Sequence, residues 1–465
     1  MFGRIVDIEV RAFEPPPGVA DLGELFKPLR HRPYAMLLLS GGDLDCAGYS
    51  IMGWDPFLVL RAKGRRLELI RDGAVTGWEA DPFQMMADLM GALELPGPPP
   101  VFPFGGGALG FLAYDLKNHL ERLPTTAVDD LGLPDAVLAL PRRLMVHDRR
   151  NGKFWSIRVL YQSPGGVVAA SEEGLPGPED FRSDYRVGEL SSNFTREGYI
   201  ESVRRIRDYI RLGDVYQVNL SQRFSFPFSG DSYELFRRLF ALNPAPFYAF
   251  LNCGDFEILS TSMERFLYRQ GEYLETRPIK GTRPRDPDPE KDAALRRELL
   301  ASPKDDAELS MIVDLLRNDL GKVCRARTVQ VQEHKRLEAY QNVYHLVSIV
   351  TGLLSPEISQ VDILKATFPG GSITGCPKIR AMEIIDELEP NGRHVYTGAI
   401  GYLGCHQNLD LNVAIRTAII SKGMGYFSVG GGVVYDSDPE DEYEETLHKG
   451  RTLFGVIERE VGGKG

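Results

Sequence analysis

Glu442, Glu445 and Lys449 lie three and four residues apart near the end of the chain, a spacing that puts all three on one face of a helix. Asp305 and Glu308 repeat the three-residue interval in a second helical stretch. Carboxylates stacked in this way repel each other unless a cation sits between them. Two such pairs on separate helices suit Mg2+, a hard ion that takes oxygen ligands and keeps several of its waters. The plain alternative is a solvated acidic face, because Glu440, Asp441 and Glu444 flank the first pair.

Three further features could act on an anion. Arg416 interrupts an otherwise apolar run, Leu411 to Ile419. A charge in such a run needs a partner, either a buried carboxylate of the chain or a carboxylate of a ligand held by both arms of the guanidinium. Gly430-Gly431-Gly432 offers backbone N–H groups that no side chain blocks, or else marks a bulge or close packing. The run Arg277-Pro-Ile-Lys280-Gly-Thr-Arg283-Pro-Arg285 is densely basic in an acidic chain. It reads as an exposed basic loop or as the setting of a nucleophilic Lys280. An ordinary lysine, with a pKa of about 10.4, is almost wholly protonated at neutral pH, so a nucleophilic lysine needs burial or neighbouring cations.

Recognisable elements carry these residues. Thr195 caps a helix whose apolar positions Tyr199, Ile200, Val203, Ile206 and Ile210 follow helical spacing, and Gly213 suits its end. Val215 to Phe226 reads as a strand, Asp305 to Leu320 as a helix, and Pro377 to the residues before Pro390 as another. Strand-like runs follow at His394–Leu403, Leu411–Ser421 and Gly425–Tyr435. A last helix runs from Asp438-Pro439 to about Glu460. Upstream, Tyr34 to Ser40 is strand-like and Pro96 to Pro103 is a loop. The irregular alternation of strands and helices favours α+β over a doubly wound sheet. We divide the chain into an N-terminal region (1–160), a Gly-, Pro- and Ser-rich linker (161–190) and a catalytic region (191–460), the two regions forming one intertwined globule.

The totals exclude several classes. With 465 residues, 65 acidic against 54 basic side chains and a net charge of −11, the chain lacks the basic face that nucleic acid requires. No stretch reaches the roughly 18 apolar residues of a membrane span. With charges at Arg4, Asp7, Glu9 and Arg11 no signal peptide is visible in the first residues, and a cytoplasmic location is expected. The five cysteines (Cys46, Cys253, Cys324, Cys376, Cys405) show no CxxC spacing, and the eight histidines show no HxxxH pattern. Gly105-Gly-Gly-Ala-Leu-Gly110 matches a dinucleotide fingerprint but leads into the strand-like Phe111 to Asp115, not a helix. Gly371-Ser-Ile-Thr-Gly-Cys-Pro-Lys378 lacks phosphate-loop spacing.

Taken together, these segments resemble the chorismate-utilising enzymes, the family of anthranilate synthase component I, aminodeoxychorismate synthase component I and the isochorismate and salicylate synthases. The resemblance rests on Glu264 to Leu267, Arg277 to Arg285, Lys304-Asp305 with Ala307-Glu308, and Met311 to Gly321. Phe368 to Lys378, Gly401-Tyr402, Ile415 to Thr417, Gly430 to Val433 and Glu442 to Lys449 complete it. It implies large antiparallel sheets packed as a sandwich with helices outside. It implies Mg2+ held directly by Glu308 and Glu445, with Asp305 and Glu442 holding its waters. It implies chorismate carboxylates bound by Tyr402, Arg416, the backbone of Gly430 and Gly432, and Lys449, with His345 and Thr374 lining the pocket. Glu264 resembles the acid/base that helps the C4 hydroxyl leave. The family's anthranilate-forming members carry Ala where Lys280 stands, and many aminating members carry Lys. The implied chemistry has Lys280 add to C2 and expel the C4 hydroxyl, after which ammonia adds at C4 and displaces the lysine to give 4-amino-4-deoxychorismate. The alternatives are anthranilate formation with loss of pyruvate, or a non-catalytic chorismate or tryptophan binder. No glutamine amidotransferase motif is present, so ammonia is expected from a separate amidotransferase subunit, or from solution at high ammonium. Ser40, Ser50, Pro246 and Phe247 stand where relatives build a tryptophan pocket. Leu39 replaces the Glu of the feedback-regulated members, which leaves a structural tryptophan site.

Overall fold

The structure, a computed structural model, describes residues 2–97, 102–163, 165–168, 175 and 184–462, with side chains of the last helix described through Ile457. Half of the expected linker therefore lies outside the described residues. The described parts beside it are a hairpin (Lys153–Ser163 with Gly166–Val168) and the short strand Tyr185–Val187, which pairs with Gln217–Gly230.

All ladders between the strands described are antiparallel, and the strands join into one hydrogen-bonded network. The N-terminal region is woven into it: Gly107–Leu112 pairs with Ala399–Gly404, and Met36–Leu39 pairs with Phe247–Asn252. Strand geometry explains how the network holds apolar layers on two sides. Successive side chains point to opposite faces. In Phe247–Asn252, Tyr248 and Phe250 enter one core while Ala249 and Leu251 enter the other. Ile419 and its neighbours Ala418 and Ile420 divide in the same way. A third, smaller core lies under the helices Arg196–Leu212 and Lys378–Leu388, through Tyr199, Val203, Ile206, Ile384 and Ile385.

The helices follow their sequence signals closely. Thr195 accepts a hydrogen bond from the Gly198 N–H at the start of Arg196–Leu212, and Gly213 ends it at φ 87°. Pro303–Gly321 begins behind Ser302, whose hydroxyl accepts from the Asp305 N–H. Pro439–Gly462 is the last helix. Two strand expectations need correction. His394 and Thr397 have φ of 51° and 61°, so the strand begins only at Ala399. The Leu411–Ser421 run is two strands, Leu409–Val413 and Thr417–Ser421, broken at Arg416 with φ 50°. Among the described residues, no helix is long and apolar enough to cross a membrane.

Candidate active site

The residues of the candidate site come from widely separated stretches of the chain. Lys280 lies on strand Ile279–Pro284, opposite Leu346, beside a register shift between Lys280 and Thr282. Such a bulge re-aims the side chains around it. Gly281, at φ 74°, lets the acidic helix approach: a Cβ there would stand 3.1 Å from both Cβ and Cγ of Asp305. The Pro303–Gly321 helix thereby sets Asp305 and Glu308 against the strand that carries Lys280. The amine lies in the electrostatic field of Glu264, Glu308 and Glu445, and lowers the pKa of each.

Glu264 occupies the bend between Phe256–Ser262 and Arg265–Gln270 and is buried. Its backbone is fixed by the Val413 N–H and by the Ser262 hydroxyl. Burial pushes its pKa up from 4.5 to about 7, against opposing pulls from a Ser372 hydrogen bond and from Lys280. Near neutral pH a carboxyl of this kind can both give and take a proton.

Glu442 is buried, and burial, reinforced by the negative charge of Glu445, raises its pKa to about 7. One of its oxygens accepts from the Ser437 hydroxyl at 2.6 Å, while the other is buried with no partner among the described residues. Glu445 is held below the usual carboxylate range by Lys449, whose amine is 2.6 Å away. Glu308 is raised by burial and by the nearby charges of Glu445 and Asp305. The acids of the two helices therefore do meet. Among the described residues, however, no three His, Cys, Asp or Glu side chains stand close enough to cage an ion as they are.

The glycine run makes this approach possible. Its strand, Met424–Val433, has Thr417–Ser421 as a second neighbour only as far as Phe427. One edge is therefore open where Gly430 to Gly432 lie. A Cβ on Gly431 would stand 3.0 Å from the unpartnered Glu442 Oε2 and 3.7 Å from Glu445 Oε1. A Cβ on Gly432 would stand 3.3 Å from Lys280 Nζ. Lys449 also donates to the Gly430 carbonyl at 3.0 Å.

Arg416 and Lys449 line one small cavity with Tyr248 and Thr261. The positive φ of Arg416 is pinned by the Thr261 N–H and hydroxyl, which donate to its carbonyl at 3.0 and 2.9 Å. A non-glycine residue held at such a φ costs of order 1–3 kcal/mol, strain characteristic of functional sites. Among the described residues the guanidinium has no carboxylate partner, and burial lowers its pKa. Both cations act on His345, whose pKa falls to about 3, chiefly through burial. His345 is thus neutral: its Nδ1 faces the Thr282 hydroxyl at 3.0 Å, and its buried Nε2 is unpartnered.

Four expectations are revised. Tyr402 does not join this group. Its strand points the ring into a second cavity, where it packs against Phe104 at 4.8 Å and feels Asp410, Tyr268 and Arg265. The tyrosine beside the glycine run is Tyr396, whose hydroxyl a Cβ on Gly430 would meet at 3.0 Å. The strand-like reading of 394–403 hid this residue, which precedes the strand. Thr374 is fully buried, but its hydroxyl is turned onto the Gly370 and Gly371 carbonyls. Ser372, two residues earlier in the segment rejected as a phosphate loop, is the hydroxyl that reaches Glu264. Finally, the arginines around Lys280 supply no free positive field. Arg277 pairs with Glu275 and Asp45, Arg283 with Glu298 and Asp305, and Arg285 with Asp292.

The second cavity, about 470 Å3, is lined by Ser40, Pro246, Phe247 and Tyr402 among others. Ser50 accepts from the Ser40 N–H at 3.0 Å, and the Ser40 hydroxyl donates to the Pro246 carbonyl at 2.7 Å. Leu39 also lines it.

A family model described as chorismate binding enzyme matches residues 43–455. Aminodeoxychorismate synthase component 1 of Escherichia coli (strain K12) is 40% identical over 441 residues, 93% of this chain and 95% of that protein. Anthranilate synthase component 1 of Thermus thermophilus is 39% identical over 418 residues, 88% of this chain and 90% of its own. The crystal structure of anthranilate synthase component I from Streptococcus pneumoniae superposes with a TM-score of 0.77 at 31% identity, covering 94% of this chain and 100% of that one.

Proposed function

The chain belongs to the chorismate binding enzymes, and from that premise we propose that it aminates chorismate at C4, as the large component of an aminodeoxychorismate synthase. The observation that carries this reading is the Lys280 amine, which stands in the field of Glu264, Glu308 and Glu445 at the edge of the glycine run. The name of the Escherichia coli relative supports it.

In this reading Arg416 and Lys449 bind the substrate's carboxylates, as the two cations that face one cavity without filling each other's role. Tyr396 takes the place first expected of Tyr402. The Lys280 amine, once it has given up its proton, attacks C2, the ring double bonds shift, and the C4–O bond breaks. Glu264, protonated in about half the molecules near pH 7, delivers its proton to the departing oxygen. Ammonia then adds at C4 and the C2–N bond breaks, which returns the amine to Lys280. Neutral His345 presents an unpartnered Nε2 to this space without adding charge.

The donor set suits Mg2+: oxygen ligands only, one of them, Glu442 Oε2, buried and unpartnered beside a glycine with no Cβ. Glu308 and Glu445 would bind the ion and Asp305 and Glu442 its waters. When bound it supplies positive charge for the ring carboxylate. Ammonia is supplied by a separate glutamine amidotransferase component, and the second cavity holds a tryptophan between Ser40 and Phe247.

The test is product analysis by mass after incubation with chorismate, Mg2+ and ammonium. A product carrying one nitrogen and the intact enolpyruvyl group is expected. Fluorescent anthranilate with an equivalent of pyruvate would assign the chain to the chemistry of its Thermus thermophilus relative instead.

A further inference from the structure

Gln217 is fully buried at the start of strand Gln217–Gly230, yet neither its amide nitrogen nor its amide oxygen has a hydrogen-bond partner among the described residues. An unsatisfied buried amide destabilises a fold by about 1–3 kcal/mol per group, so its presence calls for a reason. Its neighbours supply one. Gln217 pairs with Cys376 on one side, and the next residue, Val218, pairs with Val433 on the other. The side chain lies against Gly432, and the backbone carbonyl lies against Gly375. A Cβ on Gly432 would lie 2.6 Å from Gln217 Nε2, and one on Gly375 would lie 2.2 Å from the Gln217 carbonyl. Gly432 keeps open the space that the amide occupies, while Gly375 lets the neighbouring strand approach the Gln217 backbone. The same Gly432 position lies 3.3 Å from Lys280 Nζ, so the amide and the amine converge on one point of the open strand edge.

We propose that Gln217 is a substrate-positioning residue of this site. Its Nε2 donates to a carboxylate oxygen of bound chorismate, and its Oε1 accepts one N–H of the Lys280 amine. Rotating the amide by half a turn exchanges the two atoms, so both contacts are within its reach. An amine that donates one N–H keeps its lone pair free for attack, and the hydrogen bond fixes where that lone pair points. The substrate contact rests on the chain's membership of the chorismate binding enzymes, and the Lys280 contact rests on the amination reading.

The test compares the full-length wild type with Gln217→Leu and Gln217→Glu. Chorismate dissociation constants are measured by equilibrium dialysis with Mg2+ and without ammonium, and kcat and KM with ammonium present. Gln217→Leu is expected to weaken chorismate binding roughly 10-fold and to lower kcat a further 10-fold or more, the range of one or two hydrogen bonds to charged groups. Its thermal midpoint is expected to equal or exceed that of the wild type, because the unsatisfied amide is gone. Gln217→Glu retains an acceptor for Lys280 but repels the anion, so it is expected to raise KM more than it lowers kcat. Wild-type affinity and turnover in Gln217→Leu would overturn the proposal. So would a lowered midpoint in Gln217→Leu combined with unaltered KM in Gln217→Glu, the signature of a packing role. If the wild type binds chorismate but releases anthranilate, the amination reading fails, while the dialysis arm still decides the contact to substrate.

Discussion

Replacing Glu264 with Gln separates the chemistry of this site from its stability, and the size of the effect follows from the structure. Burial raises the Glu264 pKa from 4.5 to about 7. The folded protein therefore holds this proton more tightly than the unfolded chain does. Between these two values the native state binds more protons, so stability falls as pH rises. The favourable contribution is fully present below about pH 4.5 and is lost by the time pH has passed 7. At about 1.4 kcal/mol per unit, the whole span is on the order of 3 kcal/mol, of which about 2.5 kcal/mol falls between pH 5 and pH 8. Glutamine carries no titrating proton. Urea unfolding of both proteins at pH 5 and pH 8, without substrate or Mg2+, isolates the titration, because altered hydrogen bonding to Ser372 contributes equally at both pH values and cancels. Relative to the wild type, Glu264→Gln is expected to gain on the order of 2–3 kcal/mol on going from pH 5 to pH 8 while losing its turnover. The wild-type kcat/KM is expected to fall above about pH 7, where the carboxyl no longer holds a proton to give. A stability difference that stays constant between the two pH values would refute the reasoning, whatever happened to the activity.

Lys280→Ala is expected to lower the amination rate by a factor on the order of 10³ or more, with the chorismate dissociation constant changed less than about threefold; unchanged turnover would reject the covalent route. Glu445→Gln is expected to raise the Mg2+ concentration for half-maximal activity about 10-fold or more, and an unaltered titration would remove Glu445 from the metal site. Arg416→Leu is expected to raise the chorismate KM by roughly 10- to 100-fold, the worth of charge-assisted hydrogen bonds to one carboxylate. A wild-type KM in that variant would show the guanidinium to be structural.

The helices that carry the acids were legible because their signals are local. The intervals between Asp305 and Glu308 and between Glu442 and Glu445 are short enough for helical periodicity to fix their common face. Three features were hidden because they depend on backbone angles or on distant neighbours. The positive φ of Arg416 breaks an apolar run that reads as one strand. The direction of Tyr402 depends on its pairing with Leu109 and Asp410, far away in sequence, so alternation along its own strand does not reveal which cavity it faces. The arginines near Lys280 looked like a positive field because their partners, Asp45 and Glu298 among them, lie outside the motif.

Two acids of this site, Glu264 and Glu442, have pKa values raised by burial to about 7, so the negative charge of the site is itself adjustable close to neutral pH. Elsewhere in the molecule buried charges are matched: Arg393 lies on Glu389 at 2.7 Å, and Arg265 on Glu275 at 2.7 Å. Around the glycine run they are not. Glu442 Oε2, His345 Nε2 and both amide atoms of Gln217 are buried without partners, and Arg416 lacks a carboxylate. The unpartnered buried groups around the glycine run, together with Arg416, define by complement what fits there: anionic oxygens facing Arg416, Lys449 and Gln217, and a cation facing the acids. A dicarboxylate bound with Mg2+ meets both demands at once. The strained backbone of Arg416 and the three consecutive glycines are then the structural conditions that keep that space unfilled by the chain itself.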